Sequence, residues 1–383
     1  MKTSGDDSAE LAKTLMGEFA EQTGLRGSKE ADQDRYLWTD AFAVHNFLAL
    51  ASYFDDQRCK ELARQLIESV HYTLGRFSPD DSRSGWISSL PEKEAQQHPT
   101  VNGLRIGKSQ PERKESEPFD SNKEWDRDGQ YYHYHTRWIH ALLQAADYLG
   151  NQEYIKHAAE LSLAGRHFLN QEGNQQQLYW KMSIDLTYPL VPSMGAHDPL
   201  DGYLTALECK MMASDKRDFT EYLENLEAIC KGKNWKTTDP LGLGGLLLNT
   251  VRSAELESHT DLPESVHPQK LYRDALNGLD AFVSQAGLAS SAKFRLAFRE
   301  CGLSLGLRVI ESYRGKLTEN RADAELLDEY LNLADDIENF WSERQNREYT
   351  AYRNHQNINH VSLAASLLAR TAPAFFSRPY LNK

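Results

Sequence analysis

Residues 36–54 read YLWTDAFAVHNFLALASYF, and residues 58–74 read RCKELARQLIESVHYTL. The first stretch sets Phe42, Val44, Phe47, Leu48, Leu50 and Ala51 around most of a helical circumference. That is the pattern of a helix buried on all sides. The second, reached across Asp55-Asp56, repeats at a period of 3.6. It turns Leu62, Leu66 and Val70 inward and Lys60, Arg64 and Glu68 outward, as an amphipathic outer helix does. A buried helix followed by an amphipathic one is the unit from which the chain is built.

The unit recurs to the C-terminus. Apolar or small-residue helices are expected at 130–149, 198–213, 241–256, 291–313 and 358–370. Helices with one charged face are expected at 153–169, 216–230, 269–285 and 321–344. Residues 8–22, with Leu11, Leu15 and Phe19 on one stripe, supply a further outer helix before the break at 24–28. Twelve helices, no convincing strand and no strict sequence period favour an all-α (α/α)6 toroid, six inner helices ringed by six outer ones, over an α-solenoid. The chain of 383 residues is expected to form a single domain over 1–383, with a long loop insertion at 77–129.

In such a ring all inner helices run the same way, so their N-terminal ends share one face. The unusual residues fall before those ends. Trp38 and Asp40 open the helix at 36. The insertion closes in Glu124-Trp125-Asp126-Arg127-Asp128-Gly129-Gln130-Tyr131-Tyr132-His133-Tyr134-His135, with three carboxylates, two histidines, an indole and three phenols in twelve residues. Trp180, His197, Asp198 and Asp201 precede or open the helix at 198. Arg353, His355 and Asn357 precede the last. The turns at Asp55-Asp56, Gly150-Asn151 and Ser214-Asp215 on the other face are short. Long acidic and aromatic loops on one face describe a cup with a site at its mouth.

Aromatics with carboxylates suit a sugar. Trp and Tyr rings stack on the apolar faces of pyranoses, and two carboxyls supply acid and base for glycosidic cleavage. Asp126 or Asp128 is the candidate for one carboxyl, and Asp198 or Asp201 for the other. Trp38, Asp40, Trp125, Tyr131, His133, Trp180 and Asn357 are candidate substrate contacts. Arg105 and Arg353 would orient an acidic group or hydroxyl. A different chemistry would use His197 and His355 to move a proton beside a carbonyl. Plainer readings stand beside these. Asp128 precedes Gly129 as a helix cap would, Asp40 can cap or pair, and each histidine can be structural. Asp198-Pro199-Leu200 and Asp239-Pro240-Leu241 repeat a helix-start pattern, which capping alone explains. A non-catalytic helical scaffold, its acids all caps, is the third reading.

Other classes find no support. Gly103-Leu104-Arg105-Ile106-Gly107-Lys108 lacks the spacing of a phosphate loop. Asp126-Arg127-Asp128-Gly129 fails as a calcium loop, with Gly at position 4 and Arg137 at position 12. His133 and His135 point to different sides of a helix. No cofactor or metal is expected. With 43 basic and 56 acidic residues the net charge is −13, which argues against nucleic-acid and anionic-membrane partners; the partner expected from the aromatics and carboxylates is a small-molecule saccharide. Cys59, Cys209, Cys230 and Cys301 are scattered, and Met1 to Gly17 has no basic-then-apolar signal, so a reducing, cytoplasmic setting is expected.

The alternating helices, with Trp125-Asp126-Arg127-Asp128 and His197-Asp198-Pro199-Leu200-Asp201 at their mouths, resemble the six-hairpin glycosidase-like superfamily over nearly the whole chain. The resemblance implies a carbohydrate-active enzyme. Its members include glycoside hydrolases, polysaccharide lyases and N-acylglucosamine 2-epimerase-like isomerases, and a hydrolase using paired carboxylates is the first expectation. The epimerase-like members use a His before the last inner helix, which His355 resembles by position, although Tyr352-Arg353-Asn354 does not carry their surrounding residues.

Overall fold

The computed structural model describes residues 5–25, 35–170, 176–213, 217–284, 288–317 and 321–377. Twelve long helices are present among them: α1 (Gly5–Gln22), α2 (Leu37–Phe54), α3 (Gln57–Leu74), α4 (Tyr132–Leu149), α5 (Glu153–Ala164), α6 (Asp198–Met212), α7 (Thr220–Cys230), α8 (Pro240–Glu257), α9 (Pro268–Val283), α10 (Ala297–Glu311), α11 (Arg321–Ser342) and α12 (Gln356–Ala369). Each lies where hydrophobic periodicity places one. The largest difference is at α10, which starts at Ala297 and not 291; α5 ends at Ala164 and not 169, and α7 starts at Thr220 and not 216. The turn at Ser214-Asp215 lies outside the described residues. No helix among the described residues is long and apolar enough to cross a membrane.

Strands are the correction. Among the described residues five short ones form: β1 (Gln130–Tyr131), β2 (Leu169–Asn170), β3 (Gln177–Leu178), β4 (Lys181–Met182) and β5 (Pro189–Val191). β1, β4 and β5 make an antiparallel sheet in that order, with Tyr131 opposite Lys181 and Lys181 opposite Val191. Segments of two or three residues give alternation no room to show.

The described chain divides into two compact units, with α2 and α3 each shared between them. In the unit that holds α1 and α8 to α12, α10 packs against α8, α11 and α12, and α12 packs against α1. The side-chain amide of Asn46 donates to Val361 O at 2.9 Å. The crossing of α8 and α10 has bare backbone at its centre. A methyl added to Gly244 would lie 2.0 Å from the carbonyl oxygen of Gly302, and one added to Gly306 would lie 2.6 Å from that of Gly244. Glu338, on α11, is buried but satisfied. It accepts from Ser304 (3.0 Å), Ser366 (2.7 Å), Arg308 (2.9 Å) and Arg370, as a buried carboxylate must.

In the other unit α4, α5, α6 and α7 pack in succession, and α4 also meets α6. The insertion runs beside them and is tied main chain to main chain. Ile106 O accepts from Leu37 N (3.1 Å), Leu74 O from Arg105 N (3.0 Å), Gly129 O from Ile106 N (2.8 Å) and Gln110 O from Asp128 N (2.8 Å). A stretch that reads as loop is therefore held as firmly as a sheet edge.

Gly244→Ala is expected to destabilise the protein by about 2–4 kcal/mol, because the added methyl meets backbone that cannot rotate away. The control is Gly315→Ala, whose methyl would meet nothing within 4 Å; it should stay within about 0.5 kcal/mol of the parent in the same urea titration.

Candidate active site

The unit built on α4 to α7 brings six of the singled-out residues together: Trp125, Trp180, His133, Tyr131, Asp201 and Asp198. Trp125 is 58% exposed, and its ring meets Trp180 edge to face at 5.5 Å. Trp180 is held by two main-chain bonds, its N–H reaching Val191 O (3.1 Å) and Ser193 O (2.7 Å). His133 stacks on it at 5.8 Å with planes 7° apart. Tyr131 touches Trp180 at 4.9 Å, His133 at 5.2 Å and Tyr134 at 5.0 Å. Tyr134 shares a 2.7 Å hydroxyl–hydroxyl bond with Tyr36. Burial pushes the Tyr36, Tyr131 and Tyr134 phenols up, so all three stay protonated hydrogen-bonding groups. The His133 imidazole falls to about 3, first through burial and then through Arg137 and His135. It is a neutral ring near pH 7.

The wall ends on two carboxyls at the start of α6. Asp201 feels His133 electrostatically and accepts from the Arg137 guanidinium at 3.0 and 3.2 Å. Asp198, three residues back on the same helix, lies on the same side. Its carboxylate accepts one bond, from Gly195 N at 3.0 Å. Complete burial and the neighbouring Asp201 raise it from 3.8 to about 7, against the lowering pull of Gly195 and Arg137. One buried carboxyl poised near neutrality beside a second that is ion-paired is the arrangement that separates acid from base.

Other expected site residues have different work. Asp128 does not cap α4, whose N-cap is Tyr131. It is buried, ion-paired with Arg105, and accepts from Gly107 N (3.1 Å) and Lys108 N (3.3 Å). Arg105 also donates to Arg76 O and to Thr73 O, so its donors brace the insertion. Asp40 accepts from Tyr36 N at 3.0 Å and lies 3.7 Å from Arg35. It thereby sets the residue that opens the phenol chain. Trp38 is buried against Phe42 at 4.6 Å. Asp126 is exposed next to Trp125. The Asp-Pro-Leu echo splits: Asp239 caps α8 through Gly242 N at 2.8 Å, whereas Asp198 sits inside its helix.

His197 is half-buried at the N-cap of α6. Arg353 and His355 are exposed and Asn357 half-buried at the start of α12, in the other unit. Arg137 escaped the sequence reading, although its i, i+4 spacing from His133 puts the two on one helix face. Tyr36, Tyr134 and Lys181 escaped it too. A lysine flanked by Trp180 and Met182 was the available signal for the last.

No family model matches the sequence, and no curated protein sequence matches it. Solved structures do. An α-1,6-mannanase from Salegentibacter sp. superposes with a TM-score of 0.58 at 8% identity, covering 96% of this chain and 100% of that one. An inactive variant of that mannanase, with two aspartates changed to asparagine and α-1,6-mannotriose bound, gives 0.56 at 10% identity over 95% and 100%. A cellobiose 2-epimerase from Spirochaeta thermophila gives 0.47 at 13% identity over 92% and 97%. The mannanase likeness shows the fold: all-α, an (α/α)6 toroid.

The Asp198 carboxyl has a consequence for stability. Between pH 3.8 and about 7 the native state holds a proton that the unfolded chain has released, so stability falls as pH rises through that window. Asp198→Asn should remove that slope, worth on the order of 1–4 kcal/mol across the window. Urea unfolding of parent and variant at pH 5 and pH 8 measures it.

Proposed function

We propose that this protein is a carbohydrate-active enzyme, a glycoside hydrolase in which the Trp125–Trp180–His133–Tyr131 wall binds a sugar and Asp198 donates the proton to the departing glycosidic oxygen. The observation that carries the reading is that Arg137, one helical turn from His133 on α4, pairs with Asp201 and so brings the Asp198–Asp201 pair to the end of the wall. Aromatic rings hold a pyranose by its apolar face and leave its hydroxyls to neighbouring polar groups. The proton donor then has to be a carboxylic acid still protonated near neutrality, which a buried Asp198 beside Asp201 supplies. Asp126 is the proposed second carboxylate, acting from the exposed edge of the wall, since Asp128 is engaged by Arg105 and two loop amides.

The mannanase structures support the class of chemistry. The variant holding mannotriose is inactive and lacks two aspartates, as expected where paired carboxylates cleave a glycosidic bond. Arg105 is consumed inside the fold, which removes one of the two arginines expected to favour an acidic saccharide.

Asp198→Asn should lower kcat/KM by about 10²–10⁴-fold, the usual contribution of a general acid. Trp125→Ala should raise KM about 3–10-fold with kcat little changed, as loss of one stacking face does. A panel of oligosaccharides of varied linkage, assayed for new reducing ends, reads both. Release of a sugar isomer without new reducing ends, or an Asp198→Asn enzyme at parental rate beside a dead His355→Ala, overturns the hydrolase assignment.

A further inference from the structure

Lys181 is fully buried, in the middle of the β1–β4–β5 sheet. A buried ammonium is costly unless every donor finds an acceptor. Here its Nζ donates to the Glu124 carboxylate at 2.8 Å, to Glu124 O at 2.9 Å and to Arg127 O at 2.8 Å. Three bonds use its three donors. The two carbonyls bracket Trp125 and Asp126, so the ammonium clamps both ends of the segment that carries the exposed edge of the wall. The same Nζ lies 5.5 Å over the Tyr131 ring. Its backbone pairs with Tyr131 across the sheet, and its chain neighbour is Trp180. Glu124 is held from the other side by Arg113, at 3.1 Å, which also donates to Leu190 O on β5 at 3.0 Å. The close fit is visible in Gly129, at φ +147°, where a methyl would lie 2.9 Å from Lys181 Cε.

We propose that Lys181 is the positioning residue of the wall: one side chain fixes Trp125 and Asp126 against Trp180 and Tyr131, so that the exposed indole meets a sugar at a set distance from the α6 carboxyls. Trp125 is otherwise more than half exposed, and an exposed ring on a free loop would sample many rotamers at an entropic cost to binding. The inference rests on the reading of the wall as a saccharide site only for its enzymatic consequence; the clamp itself does not depend on it.

The edge-to-face Trp125–Trp180 pair gives an exciton couplet in circular dichroism, isolated as the difference between the parent and Trp125→Phe. Lys181→Met should abolish that difference signal. It should also lower kcat/KM about 10²-fold, because Asp126, the proposed second carboxylate, is misplaced together with Trp125, and leave the pH dependence of stability set by Asp198 in place. Glu124→Gln keeps both carbonyl acceptors and should retain most of the couplet. Equal loss in Glu124→Gln and Lys181→Met would mean that only the charge pair matters, and would overturn the clamp. A Lys181→Met protein with the parental difference signal would overturn it outright. If Lys181→Met does not fold, Lys181→Gln, which keeps a donor, takes its place with the same expectations. A parent that cleaves no saccharide removes the hydrolase reading while the couplet still decides the role of Lys181.

Discussion

A charge taken out of water must be given back its partners, and the burial of Lys181 imposes that condition on everything around it. The ammonium cannot sit in the sheet unless Glu124 and the carbonyls of residues 124 and 127 come to meet it. Glu124 in turn requires Arg113, and Arg113 reaches the last strand. The insertion, the hairpin and the start of α4 are locked by one demand of solvation. Replacing such a network with apolar groups often costs little stability, so its role here is better sought in the geometry it imposes on Trp125, Trp180 and Tyr131.

Two aspartates show how environment divides identical side chains. Asp128 has a guanidinium and two backbone amides turned on it, a set that rewards the charged form and commits the residue to holding a loop. Asp198 has a single amide, no cation of its own, and another carboxylate at its side, a set that rewards the neutral form and leaves a proton available near pH 7. Both stand beside a helix start in the sequence. Nothing local distinguishes them, because the partners of Asp128 are about twenty residues away and the isolation of Asp198 is a matter of packing.

The same distinction marks where the sequence is readable. Helix positions follow from a period of 3.6, which twelve long segments display. The aromatic wall is legible as a cluster in 124–135 joined to Trp180. Strands of two residues are too short to carry a pattern. The fate of Arg105 is equally hidden, since a buried arginine and a substrate-binding one look the same until their acceptors are known. Lys181 could have been noticed as the lone cation between Trp180 and Met182, but its acceptors come from a segment more than fifty residues earlier.

Part of the insertion's path is held by bonds between peptide groups: Leu37 to Ile106, Arg105 to Leu74, Ile106 to Gly129, Asp128 to Gln110. Peptide groups are common to all residues, so such a loop keeps its course while many of its side chains change. Anchors such as Asp128, Arg105, Arg113, Glu112 and Glu124 are fixed by their partners, whereas exposed positions between them are open to variation at little structural risk. A lineage, or an engineer, could exchange the exposed side chains it presents while the peptide bonds that set its course, and the helices they anchor it to, stay as they are.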